Sequence, residues 1–233
     1  MAKPVCVVAG IGPGNGAAFA RRFAADGYAV ALLARAAEPS RELEASLPDA
    51  RAWQCDVGDA VSVAEAFDGI RGTLGNPEVV IYNAGSGAFG TFDDISAADF
   101  ESSWRVNALG GFLIAKQVVP AMKRAGRGNL VFVGATASRR GAARTAAFAP
   151  AKAAQRSLAE SLAKHLGPAG IHVSLIVIDG VVDLPRVRQR LPDKPDAFFV
   201  KPEDVAATAA FLVAQPRSAW TFELEARPFG ETW

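Results

Sequence analysis

Tyrosine, histidine and cysteine each occur only twice in this 233-residue chain. With His165 and His172 as the only histidines, and Cys6 and Cys55 far apart in apolar segments, no cluster has metal-ligand spacing, so no metal site is expected. The two cysteines read as reduced packing residues. Charge of one sign is also lacking. Lys plus Arg total 25 against 24 for Asp plus Glu, a formal net charge of +1, which gives neither nucleic acid nor an anionic membrane a reason to bind. No apolar run is long and charge-free enough to span a bilayer. A strand-like run begins at Pro4 with no basic leader or cleavage pattern before it, so the expected location is the cytoplasm. The scarcity of tyrosine, Tyr28 and Tyr82 alone, matters for the chemistry below.

Half of the residues are hydrophobic and 21% are charged, the balance of a globular protein with a full core. The length suits one large α/β domain, 1–233, and is short for two. Apolar runs of strand length recur at Val5–Ala9, Val30–Leu33, Arg51–Cys55, Val79–Tyr82, Leu130–Val133, Val173–Ile178 and Trp220–Leu224. They are largely continuous and β-branched, as in strands buried on both faces of a parallel sheet. Helix-length segments separate them, the longest being Asp99–Ala125 and Ala147–Leu166. The alternation predicts an α/β fold: a doubly wound parallel sheet of about seven strands with helices on both faces. Small-residue faces on the two long helices fit a homo-oligomer, dimer or tetramer, as well as they fit packing on the chain's own sheet. Only 183–200, with Pro185, Pro192 and Pro195, reads as irregular. It lies where loops at the carboxyl edge of such a sheet cover substrates.

The first strand runs into Ala9-Gly10-Ile11-Gly12-Pro13-Gly14-Asn15-Gly16 and then an amphipathic helix. Glycines there permit a tight turn and bring backbone amides close to a pyrophosphate at the helix N-terminus. A glycine cluster alone more often marks a plain turn; its place between a buried strand and a helix makes it a dinucleotide fingerprint. Asp56 follows the third strand, Tyr82-Asn83-Ala84-Gly85 ends the fourth, and Asn107 sits inside a long helical stretch. Singly, Asp56 reads as a turn residue and Asn83 as a partner for backbone groups.

In that order, these motifs resemble the short-chain dehydrogenases over the whole chain. The family's TGxxxGxG loop is matched at Gly10, Gly14 and Gly16, with Ala9 for threonine. Its NNAG motif is matched at Asn83, Ala84 and Gly85, with Tyr82 for the first asparagine. Asp56-Val57 matches the pair that holds adenine. The resemblance implies a Rossmann-type domain that binds a nicotinamide dinucleotide, with Lys152 on its ribose, and acts on a small-molecule substrate. Rossmann proteins selective for NAD usually place an acid after the second strand, whereas an arginine there accommodates a 2′-phosphate. This chain has Arg35 and no acid until Glu38. Hydrogen bonds from arginine to phosphate are worth about 1.5–3 kcal/mol, so NADP is favoured over NAD.

The catalytic part of the family pattern is broken. Where the family has Tyr-x-x-x-Lys, this chain reads Phe148-Ala149-Pro150-Ala151-Lys152, and family spacing puts Ala135 at the serine position. A phenyl ring has no proton to give and a methyl group donates no hydrogen bond. Losing a positioned general acid costs about 10²–10⁴-fold in rate. Asn107 and Lys152 are retained from the family's proton relay. Replacement groups to weigh are Asp179, in the altered Ile178-Asp179-Gly180 turn, and Thr145, seven residues before Lys152, with Thr136 and Ser138 as further hydroxyls. Each has an ordinary alternative as a turn or loop residue. Leu184 stands where the family has a threonine on the carboxamide. Arg139, Arg140, Arg144, Arg186, Arg188 and Arg190 crowd the expected mouth, consistent with an anionic substrate or simply with solvated surface. Three functions follow: an NADP-dependent oxidoreductase with a divergent site, a non-catalytic dinucleotide-binding sensor or scaffold, or a reductase of an activated C=C bond.

Overall fold

The computed structural model describes residues 2–230. Nine strands and eight helices alternate along them: β1 (Val5–Ala9), α1 (Asn15–Ala25), β2 (Ala29–Ala34), α2 (Glu38–Ser46), β3 (Ala50–Gln54), α3 (Ala60–Thr73) and β4 (Pro77–Tyr82) come first. There follow α4 (Ala97–Trp104), α5 (Gly110–Ala125), β5 (Gly128–Ala135), α6 (Phe148–Leu166), β6 (Ile171–Ile178), β7 (Val181–Val182), α7 (Pro185–Arg190), β8 (Phe199–Val200), α8 (Pro202–Val213) and β9 (Glu223–Ala226). Seven strands form one parallel sheet in the order β3-β2-β1-β4-β5-β6-β9. The chain winds outward from β1 to β3, then returns to the other side of β1 through β4. That reversal opens a crevice beyond the carboxyl ends of β1 and β4.

Alternate residues of each central strand feed two cores. Val5, Val7 and Ala9 face one with Phe67, Ile70, Ile114 and Val118 of α3 and α5; Leu166 of α6 joins them. Cys6 and Val8 face the other with Phe19 and Phe23 of α1, Leu43 of α2 and Leu212 of α8. The continuous apolar runs of the sequence are explained by these two covered faces. Leu162 of α6 also packs on this sheet, so the face of that helix bearing Leu162 and Leu166 serves the chain's own core. Among the described residues no helix is long and apolar enough to cross a membrane.

Three expectations need correction. The last strand is Glu223–Ala226 rather than Trp220–Leu224, because Trp220 stacks on His172 (4.8 Å between centroids) and Phe222 packs against the core ahead of the ladder. The stretch 99–125 is not one helix: it is α4 and α5 joined by a π-helical turn at Arg105–Leu109, which contains Asn107. Nor is 183–200 irregular. Asp183 accepts hydrogen bonds from Arg188 (2.7 and 2.9 Å) and Lys201 (2.5 Å), and Arg188 also pairs with Asp196 and lies over the Phe199 ring. With β7 pairing β8 in parallel, these contacts turn the segment into an ordered flap carrying α7.

Gly10 is a point of close backbone approach in the crevice. Its φ of +97° is disfavoured for a side-chain-bearing residue, and an added Cβ would lie 2.5 Å from the Ala84 backbone nitrogen. Gly27 has a similar φ of +92° but faces open space. Gly10→Ala should therefore cost roughly 2–5 kcal/mol of stability and Gly27→Ala only about 1–2, measured by urea unfolding. Equal losses would show that the approach of β1 and β4 is looser than described.

Candidate active site

The groove over the carboxyl ends of β1, β2 and β4 has a volume of about 720 Å³. Gly10, Gly14, Gly16, Arg35, Val57, Asn83, Ala84 and Gly85 all line it, so the fingerprint residues converge. Gly16 lets α1 approach the loop: a Cβ there would lie 2.5 Å from the Gly10 oxygen. No side chain caps α1; Ala17 donates back to the Gly12 oxygen (3.0 Å), and the Asn15 and Gly16 amides ahead of it are left to water or an anion. Asn83 donates from Nδ2 to the Gly10 oxygen (2.7 Å), fastening the end of β4 to the glycine turn. Asp56 itself is not in the lining; its Oδ1 accepts from the Gly58 amide (2.9 Å) in a turn that positions Val57.

The charged side chains in the lining are Arg35 and Arg186, both cations. Neither makes an ion pair with a described residue. Three of the other basic residues of the mouth have acidic neighbours of their own, which fits the solvated-surface alternative better than an anionic substrate. Arg139 is tied to Glu223 and Glu225, Arg188 to Asp183 and Asp196, and Arg140 lies 3.9 Å from Asp179. In the sequence Arg186 was indistinguishable from Arg188 and Arg190; a helical offset of two residues turns one to the groove and one to the flap. Leu184 also enters the groove, its side chain resting on the α-carbon face of Gly14.

Behind Gly85 lies a buried polar cluster. Asn107 is fully buried and donates from Nδ2 to the oxygens of Ser86 (2.6 Å) and Ser103 (2.8 Å). The π-helical turn carries it inward, a deviation from regular helix that often marks a functional position. Its Oδ1 is buried with no partner among the described residues. Lys152, 5% exposed, donates to the Val133 oxygen (2.9 Å) and to Gln155 Oε1 (3.2 Å). Both Asn107 Oδ1 and Lys152 Nζ face Gly85, at 3.6 and 3.7 Å from where a Cβ would stand. Burial pushes the Lys152 amine from 10.5 down to about 8. Gln155 was missed in the sequence, where a glutamine three residues after a lysine in a helix looks like surface.

Phe148 opens α6 one turn before Lys152, its ring 4.9 Å from that of Phe89 and 6.0 Å from Lys152 Nζ. Ala135 ends β5, and its amide donates to Ser138 Oγ (3.1 Å). Thr145 is occupied within its own loop: it accepts from the Ala142 amide (2.8 Å) and donates to the Ala142 oxygen (2.9 Å). Thr136 donates to Asp179 Oδ1 across the ends of β5 and β6. Neither tyrosine is available: Tyr82 is buried and donates to the Val106 oxygen, and Tyr28 packs edge-on against Phe23. Among the described residues no group of three or more His, Cys, Asp or Glu side chains is placed to hold a metal.

The model of the short chain dehydrogenase family matches residues 4–195. The chain belongs to the short-chain dehydrogenases. It is 28% identical over 222 residues to D-threitol dehydrogenase of Mycolicibacterium smegmatis, covering 90% of this chain and 85% of that one. A short-chain dehydrogenase from Rhodopseudomonas palustris superposes with a TM-score of 0.84 at 31% identity, over 97% of this chain and 99% of that one. A metagenomic short-chain oxidoreductase solved in complex with NADP gives 0.85 at 27% identity, over 99% of both chains.

For this short-chain dehydrogenase the buried lysine has a stability consequence. Below pH 8 Lys152 is protonated both folded and unfolded, and folding carries the whole penalty of burying the charge. Between 8 and 10.5 the folded chain has released that proton and the unfolded chain has not, so stability rises with pH. Relative to Lys152→Met, wild type should gain on the order of 2–3 kcal/mol between pH 7 and pH 10.5 in urea unfolding. A pH-independent difference would mean that the amine is solvated.

Proposed function

We propose that the chain is an NADP-dependent oxidoreductase of short-chain type with a divergent active site, acting on a small molecule. The observation that carries the cofactor assignment is the charge of the groove. It is lined by glycine amides, a helix N-terminus and two cations, Arg35 and Arg186, with no acid at the end of β2 to meet a ribose hydroxyl. The residues fit a dinucleotide in a second respect: the orphaned Asn107 Oδ1 and the Lys152 ammonium converge on Gly85, a place for a hydroxyl-bearing group. The NADP named with the metagenomic relative agrees with this reading.

On this reading Gly10, Gly14 and Gly16 admit the pyrophosphate, Arg35 pairs with the 2′-phosphate, Val57 and the Asp56 turn border the adenine, and Asn83, Ala84 and Gly85 form the floor beneath the nicotinamide half. Lys152 holds the ribose. Bound NADPH would supply a hydride. The phenol and serine that ordinarily serve the substrate oxygen are replaced by Phe148 and Ala135, and the Thr136–Asp179 pair at the strand ends is a polar group that could take their place. Thr145 is set aside, because its hydroxyl is already satisfied in both directions. The flap from Asp183 to Val200, fastened by Asp183, covers the substrate.

NADPH should bind at least tenfold more tightly than NADH in a fluorescence titration, and Arg35→Asp should reverse the order. Equal affinities in the wild type would remove Arg35 from the site.

The occupied tyrosines favour one competing reading, a dinucleotide-binding protein that has lost the reaction. Restoring the missing pair decides between them. Phe148→Tyr with Ala135→Ser should raise reduction of generic ketones or aldehydes on the order of 10²-fold, with Phe148→Tyr alone giving part of it. Fast turnover by the wild type would instead rule out the non-catalytic reading and show that Phe148 is no lesion. A double variant that folds, binds NADPH and reduces nothing would mean that the pocket is not built for a carbonyl; a C=C bond that takes its proton from water is then the substrate to test.

A further inference from the structure

Gln155 is fully buried and uses only half of its amide. Its Oε1 accepts from Lys152 Nζ at 3.2 Å, and its Nε2 has no partner among the described residues. Burying an amide nitrogen without a partner is costly, so a glutamine at this position needs a compensating interaction. Among the described residues its side chain has a single hydrogen bond, the one to Lys152. The Lys152 ammonium itself has no anionic partner among the described residues. Its acceptors are two neutral oxygens, Val133 O at 2.9 Å and Gln155 Oε1, which leaves a third proton toward Gly85 and the groove. At the head of the same helix, where a phenol would offer an oxygen, stands the Phe148 ring.

We propose that Gln155 is a positioning residue for Lys152: its amide oxygen is the neutral acceptor that holds the ammonium between α6 and β5 and so governs its proton affinity and its aim at the groove. This rests on the reading of Lys152 as a groove residue. The amide suits both protonation states of the lysine. Oε1 accepts from the ammonium, and Nε2, after rotation of the amide, can donate to the lone pair of the free amine. A carboxylate at 155 would lock the charged form, and an apolar side chain would leave the charge one acceptor short.

Charged groups on the surrounding elements do not explain the lysine's state. On α6, Arg156 and Glu160 pair with each other and with Glu223 or Lys164 near the surface. The π-helical turn presents Arg105, paired with Glu101 of α4 in solvent, and the Asp99 carboxylate of α4 is engaged by Ser96. On β6, His172 stacks on Trp220 at the opposite end of the sheet. The β5 and Thr136–Ser138 segments offer no ionisable group. Burial alone lowers the amine toward 8.

The test is the titration of the Lys152 side-chain resonance by NMR in the full chain without cofactor, assigned by its loss in Lys152→Met. Gln155→Glu, nearly identical in shape, should raise the lysine's proton affinity at least tenfold, moving its midpoint up by one pH unit or more. Gln155→Met should move it down. A glutamine that merely fills space would change stability in both variants and leave the midpoint where it is, which would overturn the inference. If the methionine variant does not fold, Gln155→Glu alone decides, since an unshifted midpoint there has the same meaning. Failure of the site reading is separate: NADPH affinity unchanged by Lys152→Met would remove the lysine from the cofactor site, whatever the titration gives.

Discussion

The close approach of the ends of β1 and β4 at Gly10 is the constraint on which the groove depends. A hydrogen in place of a side chain at Gly10 lets the turn lie against Ala84, and Asn83 then reaches the Gly10 oxygen to fasten the two strand ends together. Because the sheet reverses its winding at this point, the two chains leave in opposite directions and the space above them stays open. Everything named in the cofactor half of the site hangs on that junction: the start of α1, the floor at Ala84 and Gly85, and through Gly85 the buried pair of Asn107 and Lys152.

The two halves of the site are built differently. The cofactor half is backbone amides, glycines and two cations, features that recognise an anion by charge and shape. The proposed substrate half is marked by Phe148 against Phe89, by Thr136 bonded to Asp179 and Ser138 bonded to the Ala135 amide, and by the Lys152 amine withdrawn behind the groove. On the proposed reading, Phe148 in place of a phenol leaves dinucleotide binding untouched in principle while removing the group best suited to donate a proton. That separation is why membership of the family speaks for the dinucleotide more strongly than for any particular reaction.

The fold was legible wherever a strand is covered on both faces. The runs at β1, β2, β4, β5 and β6 are continuous and apolar because helices lie above and below them. At the edge, β9 is only half-buried, and the apolar Trp220 and Phe222 drew the expected strand three residues too early. The flap escaped prediction because nonlocal pairs shape it: Asp183 with Lys201, and β7 with β8. In the groove, the glycines could be read from their place between a strand and a helix, and Asn83 from the family motif it matches. Arg186 could not, since its neighbours Arg188 and Arg190 look the same until α7 gives each a direction. Gln155 was invisible for the opposite reason, because polar residues in helices usually face water and only the packing of α6 on β5 buries this one.

Hydrogen exchange with and without NADPH tests most directly whether the Gly10 junction frames a dinucleotide groove and whether, as proposed, the flap closes it. The account predicts slower exchange at Gly12–Gly16, at Ala84 and Gly85, and across Val182–Arg186, where Leu184 lies on Gly14, with little change at the far edge of the sheet around His172. Exchange unaltered at the glycine turn in saturating NADPH, or protection confined to a surface away from it, would contradict the account.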